Sequence, residues 1–101
     1  MDIIYTRTIG VHMNKLDEAM EIAKEQAAIQ EEHSGIKVYV SFQFGGNPRT
    51  VQWLTIGDMN KMFEADPKFS ADPKYVASVK KMEGVFVDGS MRDQMRAIIN
   101  N

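Results

Sequence analysis

The chain has 101 residues, 44% of them hydrophobic, with 12 basic and 14 acidic side chains, a net charge of −2 and no cysteine. A chain of this length forms one domain, residues 1–101, that buries roughly two thirds of its unfolded surface. Disulfides, thiolate chemistry and cysteine-bound metal are excluded, and no apolar run is long enough to cross a bilayer.

The opening MDIIYTRTIG has an acid where a signal peptide carries basic residues, so a cytoplasmic address is expected. Asp2 to Met13 reads as the first strand. Ile3, Tyr5, Ile9, Val11 and Met13 share one parity, interrupted by Arg7, and Gly10 marks a bulge or a close backbone approach. Asn14 is the expected N-cap of a helix running to about His33, with Asp17 favourable to its N-terminal dipole and Gly35 as the stop. Leu16, Ala19, Met20, Ala23 and Ala27 form its apolar stripe, widened by Ile22 and Ile29. Asp17, Glu18, Glu21, Glu25 and Glu32 make a solvated far side.

Ile36 to Ile56 is a β-hairpin. Ile36, Val38, Val40, Phe42 and Phe44 alternate with Lys37, Tyr39, Ser41 and Gln43. Gly45-Gly46-Asn47-Pro48 supplies the turn, and Thr50 to Ile56 is rich in β-branched residues and carries Trp53. A second helical arm spans 59–83. Asp58 caps it, Met59, Met62 and Phe63 share one face, and a break is expected near Pro67. Asp72-Pro73 restarts the helix as a cap followed by proline. Tyr75, Val76, Val79 and Met82 are its expected buried face, and Gly84 its end. In the tail, Met91, Met95, Ala97 and Ile99 alternate as a strand. Met91, Met95 and Ile98 also fit a helix, with Ser90-x-x-Asp93 as its capping box. Topology favours a strand, because the other three leave a place for a fourth.

The order is then βαββαβ, an α+β, ferredoxin-like antiparallel sheet with both helices on one face. Apolar and aromatic residues on both strand parities imply a cover for the other face, and a second copy of the chain, a homodimer, is the simplest one.

The element order, with the stretch ADPKYVASVKKMEGVFVDGSMRDQMRAI from Ala71, resembles the dimeric α/β-barrel superfamily. It is similar to small uncharacterised members and more loosely to NIPSNAP-like and antibiotic-biosynthesis-monooxygenase-like proteins. The resemblance implies a strand for Met91 to Ile99 and a shared barrel of two subunits. For function it implies cofactor-independent oxygenation or isomerisation of an aromatic or apolar molecule. The asparagine, tryptophan and histidine of haem-degrading members do not map onto Asn14, Trp53 and either histidine with matching spacing, so no haem is carried over and no cofactor is expected.

His12, where the first strand feeds the first helix, is the candidate general base; the alternative is a polar residue closing a strand end. It has no partner at metal-ligand spacing, so no metal site is expected. His33 lies in a last helical turn, where a cation suits the dipole. Trp53 is either one wall of a ligand pocket or part of the core or dimer interface. Tyr5, Tyr39 and Tyr75 are candidates to orient a ligand through their hydroxyls, or they bury the ring and keep the oxygen wet. Gly45-Gly46 joins two strands and lacks the lysine of a phosphate loop. Arg7, Arg49, Arg92 and Arg96 are scattered, so no nucleic-acid partner is expected, and the short apolar runs leave no membrane partner expected. The functional expectation is a small-molecule-binding dimer, with a non-catalytic ligand-sensing or interaction module as the alternative.

Overall fold

The computed structural model describes residues 1–46 and 49–100. Four strands form one antiparallel sheet: β1 (Asp2–Gly10), β2 (Val38–Phe42), β3 (Thr50–Asp58) and β4 (Arg92–Ala97), in the order β2-β3-β1-β4. Helices α1 (Leu16–Ser34) and α2 (Met59–Ala71) pack on one face, and α3 (Pro73–Lys80) packs against both of them. This is the ferredoxin-like plan expected from the element order. Among the described residues, no helix is long and apolar enough to cross a membrane.

β1 sits at the centre, paired with β3 on one side and β4 on the other. Its odd-numbered residues face the helices, and Ile3 and Ile9 are buried there. Register places Arg7 beside Trp53 and Asp93, and Tyr5 beside Thr55 and Met95. The even-numbered side, with Ile4, Leu54 and Ile56, faces away from the helices. The strand ends at Gly10, earlier than Met13. Val11 adds only a single bridge to Phe86. Gly10 is the close approach the sequence implied: a Cβ there would lie 3.2 Å from Ser90 Oγ, and its N–H donates to that oxygen at 2.9 Å.

Asn14 does not cap α1. It occupies the left-handed region at φ 68°, and the helix starts after Lys15 with no side-chain cap. Asparagine tolerates that conformation well, so it serves the turn and leaves the helix end uncapped. The stop is as expected: Gly35, at φ 70°, donates its N–H to Glu31 O, a left-handed cap that glycine adopts without strain. The buried stripe of α1 includes Ala19, Ile22, Ala23, Ala27 and Ile29, and also Gln26. The small alanines let the helix lie close on the sheet. The core then joins them to Val51, Trp53, Val85 and Phe86.

The hairpin is narrower than Ile36 to Ile56. Val38 is buried, but Phe42 and Phe44 are exposed. The Asn47-Pro48 half of the expected turn lies outside the described residues. Asp58 caps α2, accepting from Lys61 N at 3.1 Å.

The helical arm breaks at Asp72, five residues beyond Pro67, which stands inside α2. Among the described residues α2 buries only Ala65, so the Phe63 carbonyl that Pro67 cannot bond belongs to a largely exposed helix. Asp72, by contrast, precedes a proline. Its backbone is extended at ψ 124°, as that position favours, and its side chain accepts from Lys74 N at 2.8 Å. In α3 the buried residue is Ser78, while Val76 and Val79 are exposed. Ser78 accepts a hydrogen bond from Gln26 of α1 at 3.1 Å and donates to Tyr75 O. That polar contact sets the helix rotation. The last segment is a strand, not a helix. Ser90 does not start a capping box; its hydroxyl serves Gly10 and Val87.

Candidate functional site

A cavity of about 240 Å³ lies between the helix-facing side of the sheet and the three helices. Tyr5 and Arg7 of β1, Trp53 and Thr55 of β3 and Met95 of β4 form its floor. Alternation along each strand puts these residues on one side, and the register brings them together. Gln26 and Gln30, one turn apart on α1, line one wall. Met62, Phe63, Asp66 and Phe69 of α2 and Tyr75 of α3 line the other. The rings of Phe69 and Tyr75 meet at 4.1 Å across the break at Asp72.

Trp53 serves the core and the cavity together. It is 6% exposed, its indole N–H donates to Ala23 O of α1 at 3.1 Å, and its ring lies 6.1 Å from that of Phe86. One edge is fixed in the core while another lines the cavity.

The polar feature of the floor is a triad. Asp93 of β4 accepts from Arg7 Nε and Nη2, each at 2.8 Å. Tyr5 Oη donates to the same carboxylate at 2.8 Å, and Arg7 Nη2 donates to Tyr5 Oη at 3.3 Å. This is a side-on bidentate pair, among the strongest side-chain hydrogen-bond geometries. Each member fixes the others' protonation. Burial, and then the bond to Asp93, push Tyr5 up to about 12. The bond from Arg7, and then that from Tyr5, hold Asp93 below the usual carboxylate range. Hydrogen bonding to Asp93 raises the Arg7 guanidinium above its ordinary value. Phenol, carboxylate and guanidinium therefore persist together at neutral pH.

Of the residues singled out in the sequence, Tyr5, Trp53 and Tyr75 meet in this cavity. Tyr39 stands on the opposite face of the sheet, 55% exposed, with Lys37 Nζ 5.9 Å from its ring centre. His12 is exposed just beyond β1 and does not line the cavity. His33 bonds Asp72 at 2.8 Å, tying the end of α1 to the α2–α3 junction. Among the described residues, no group of three or more histidines and carboxylates could hold a metal ion. The sequence reading does not place Arg7 and Asp93 in a site. Their signal was Arg7 itself, a charge on the otherwise apolar parity of β1, with Asp93 at matching parity on the last strand.

No family model matches the chain, and no curated protein matches its sequence. Solved structures do share its fold. A NIPSNAP family protein from Agrobacterium tumefaciens superposes with a TM-score of 0.81 at 16% identity, over 99% of this chain and 95% of that one. An uncharacterized NIPSNAP-like domain protein from Burkholderia xenovorans gives 0.80 at 16% identity, over 98% and 86% of the two chains. SnoaB, a cofactor-independent oxygenase from Streptomyces nogalater, gives 0.69 at 11% identity, over 99% and 95%. At these identities the likeness establishes the fold, the one the sequence resemblance implied.

Proposed function

We propose that the protein binds a small, largely apolar ring compound in the cleft between sheet and helices. One observation carries this reading: a cavity of about 240 Å³ walled by aromatic side chains around a single anchored cation. Ligand clefts of ~300–1,000 Å³ are typical, apolar with a few fixed polar groups, so this one suits a compound of one or two rings. The likeness to SnoaB supports extending the reading to cofactor-independent oxygenation. Binding without turnover is the competing reading. It is favoured by the absence of a histidine from the lining and by the mutual engagement of Tyr5, Arg7 and Asp93.

The partner in this reading is a second copy, packed on the face of the sheet away from the helices. Tyr39 at 55% and Ile56 at 48% exposure leave apolar area there for a copy to cover. A cytoplasmic address goes with the cysteine-free composition. Native mass spectrometry of freshly purified protein tests both parts. A dimer carrying the extra mass of a small organic compound is expected; a bare monomer contradicts them.

A further inference from the structure

The aromatic walls do not account for Arg7, and we propose that it is the seat of a ligand carboxylate, so that the cleft selects small ring compounds bearing an anionic oxygen group. The inference rests on the reading of the cleft as a ligand site.

Arg7 occupies the buried parity of the central strand, where Ile3 and Ile9 are 3% and 5% exposed. A charge on such a position is costly unless paired, and an apolar residue there commonly gives equal or greater stability. Asp93 supplies the pairing, and it also orients. By taking Nε and Nη2 side-on it fixes the plane of the guanidinium, and Tyr5 closes the same edge. Nη1 has no hydrogen-bond partner among the described residues.

Arg7 and Tyr5 line the cavity, whereas Asp93 stands outside the lining. The Tyr5 proton is already given to Asp93, so the donor a ligand meets is Arg7 Nη1. Guanidinium has no acceptor, so the ligand atom it meets must be one, and a charged carboxylate oxygen takes a stronger bond from it than a neutral hydroxyl. The other ionisable charge on the lining is Asp66, exposed on α2, to which Arg7 makes no bond. A pre-oriented donor beside aromatic walls lets the ligand keep its ring dry and its charge bonded, at little ordering cost.

Three ligands of one shape but different charge separate the outcomes: naphthoate, naphthylmethanol and naphthylmethylamine. Trp53, the only tryptophan, gives one indole cross-peak in nitrogen–proton correlation spectra, which reports binding in the cleft. Naphthoate is expected to bind at least about tenfold more tightly than the alcohol, a difference of about 1.4 kcal/mol. In the double variant Arg7→Met, Asp93→Asn, which leaves no orphaned charge, that ratio should fall to near one. If the double variant does not fold, Arg7→Lys keeps a charge but loses the planar group that Asp93 orients, and the ratio should fall severalfold. An alcohol that binds as tightly as the acid overturns the carboxylate seat and leaves the cleft reading standing. An amine that binds most tightly also overturns it, in favour of Asp66. If none of the three moves the indole peak, both readings fall.

Discussion

Replacing Trp53 by phenylalanine tests how the cleft's floor is held. The indole N–H bond to Ala23 O is buried, and a bond of this kind contributes about 1 kcal/mol net. Ala23 lies inside α1, where its carbonyl keeps the helical donor four residues on, so no orphaned acceptor is added to the cost. The variant also deletes part of a ring that is 6% exposed. At ~0.8 kcal/mol per buried methylene equivalent, this removes about 2 kcal/mol more. The expected loss is about 3 kcal/mol. A protein of this size is stable by ~5–15 kcal/mol, so the variant still folds. Urea unfolding followed by circular dichroism measures the loss, with an unchanged m-value as the sign that both end states are preserved. In thermal unfolding the same loss lowers Tm by roughly 12–24 °C. A loss below about 1 kcal/mol at unchanged m would refute the reasoning, because the ring would then not be locked between α1 and the core.

Three further predictions concern the ends and breaks of the cleft's frame. Tyr5 is raised from 10.0 to about 12, so the unfolded chain ionises this phenol first; its contribution to stability is complete below about pH 10 and is lost as pH rises towards 12. In an absorbance titration one of the three tyrosines should ionise near pH 12 in the wild type and be missing in Tyr5→Phe; full ionisation by about pH 11 contradicts this. Asp72 is held below the usual carboxylate range by the His33 bond and then by Lys74 N, so its contribution is present above about pH 3.9 and is lost as pH falls below it. The urea midpoints of wild type and Asp72→Asn should differ near pH 6 and converge near pH 2; a constant difference would remove Asp72 from the acid response. Pro67→Ala restores a helical bond to Phe63 O and should stabilise the protein by about 1–3 kcal/mol; a destabilised variant would show that Pro67 shapes α2 in a way its exposure does not reveal.

The fold was legible because its signals are periodic. Alternation at Val38 and Val40, the three-and-four spacing of Ala19, Ala23 and Ala27, and Gly35 past the end of α1 each report a local preference that the tertiary structure keeps. The departures occur where a polar contact outranks hydropathy. Ser78, not Val76 or Val79, faces inward because Gln26 reaches it across two helices, and no pattern within α3 records that. Asn14 has the side chain of a cap but spends its backbone on a turn. In the tail, local capping chemistry at Ser90 pointed to helix, and the open edge of β1 decided for strand.

The candidate site was half legible. Tyr5, Trp53 and Tyr75 could be named as ring-bearing residues, but their meeting depends on register and helix placement. Asp93 lies 86 residues from Arg7, and the pair becomes visible only when β4 lies beside β1. His12 drew attention as a titratable group, yet one residue of alternation and the end of the strand leave it on the surface.

The direct test of the cleft as a ligand site is residue-resolved chemical-shift mapping of the isotope-labelled wild-type protein with naphthoate. With the ligand in the cleft, the largest shifts fall on the Trp53 indole N–H and the side-chain amides of Gln26 and Gln30, all on the cavity lining. Shifts confined to Tyr39, Gln52 and Gln94, on the opposite face of the sheet, would contradict it.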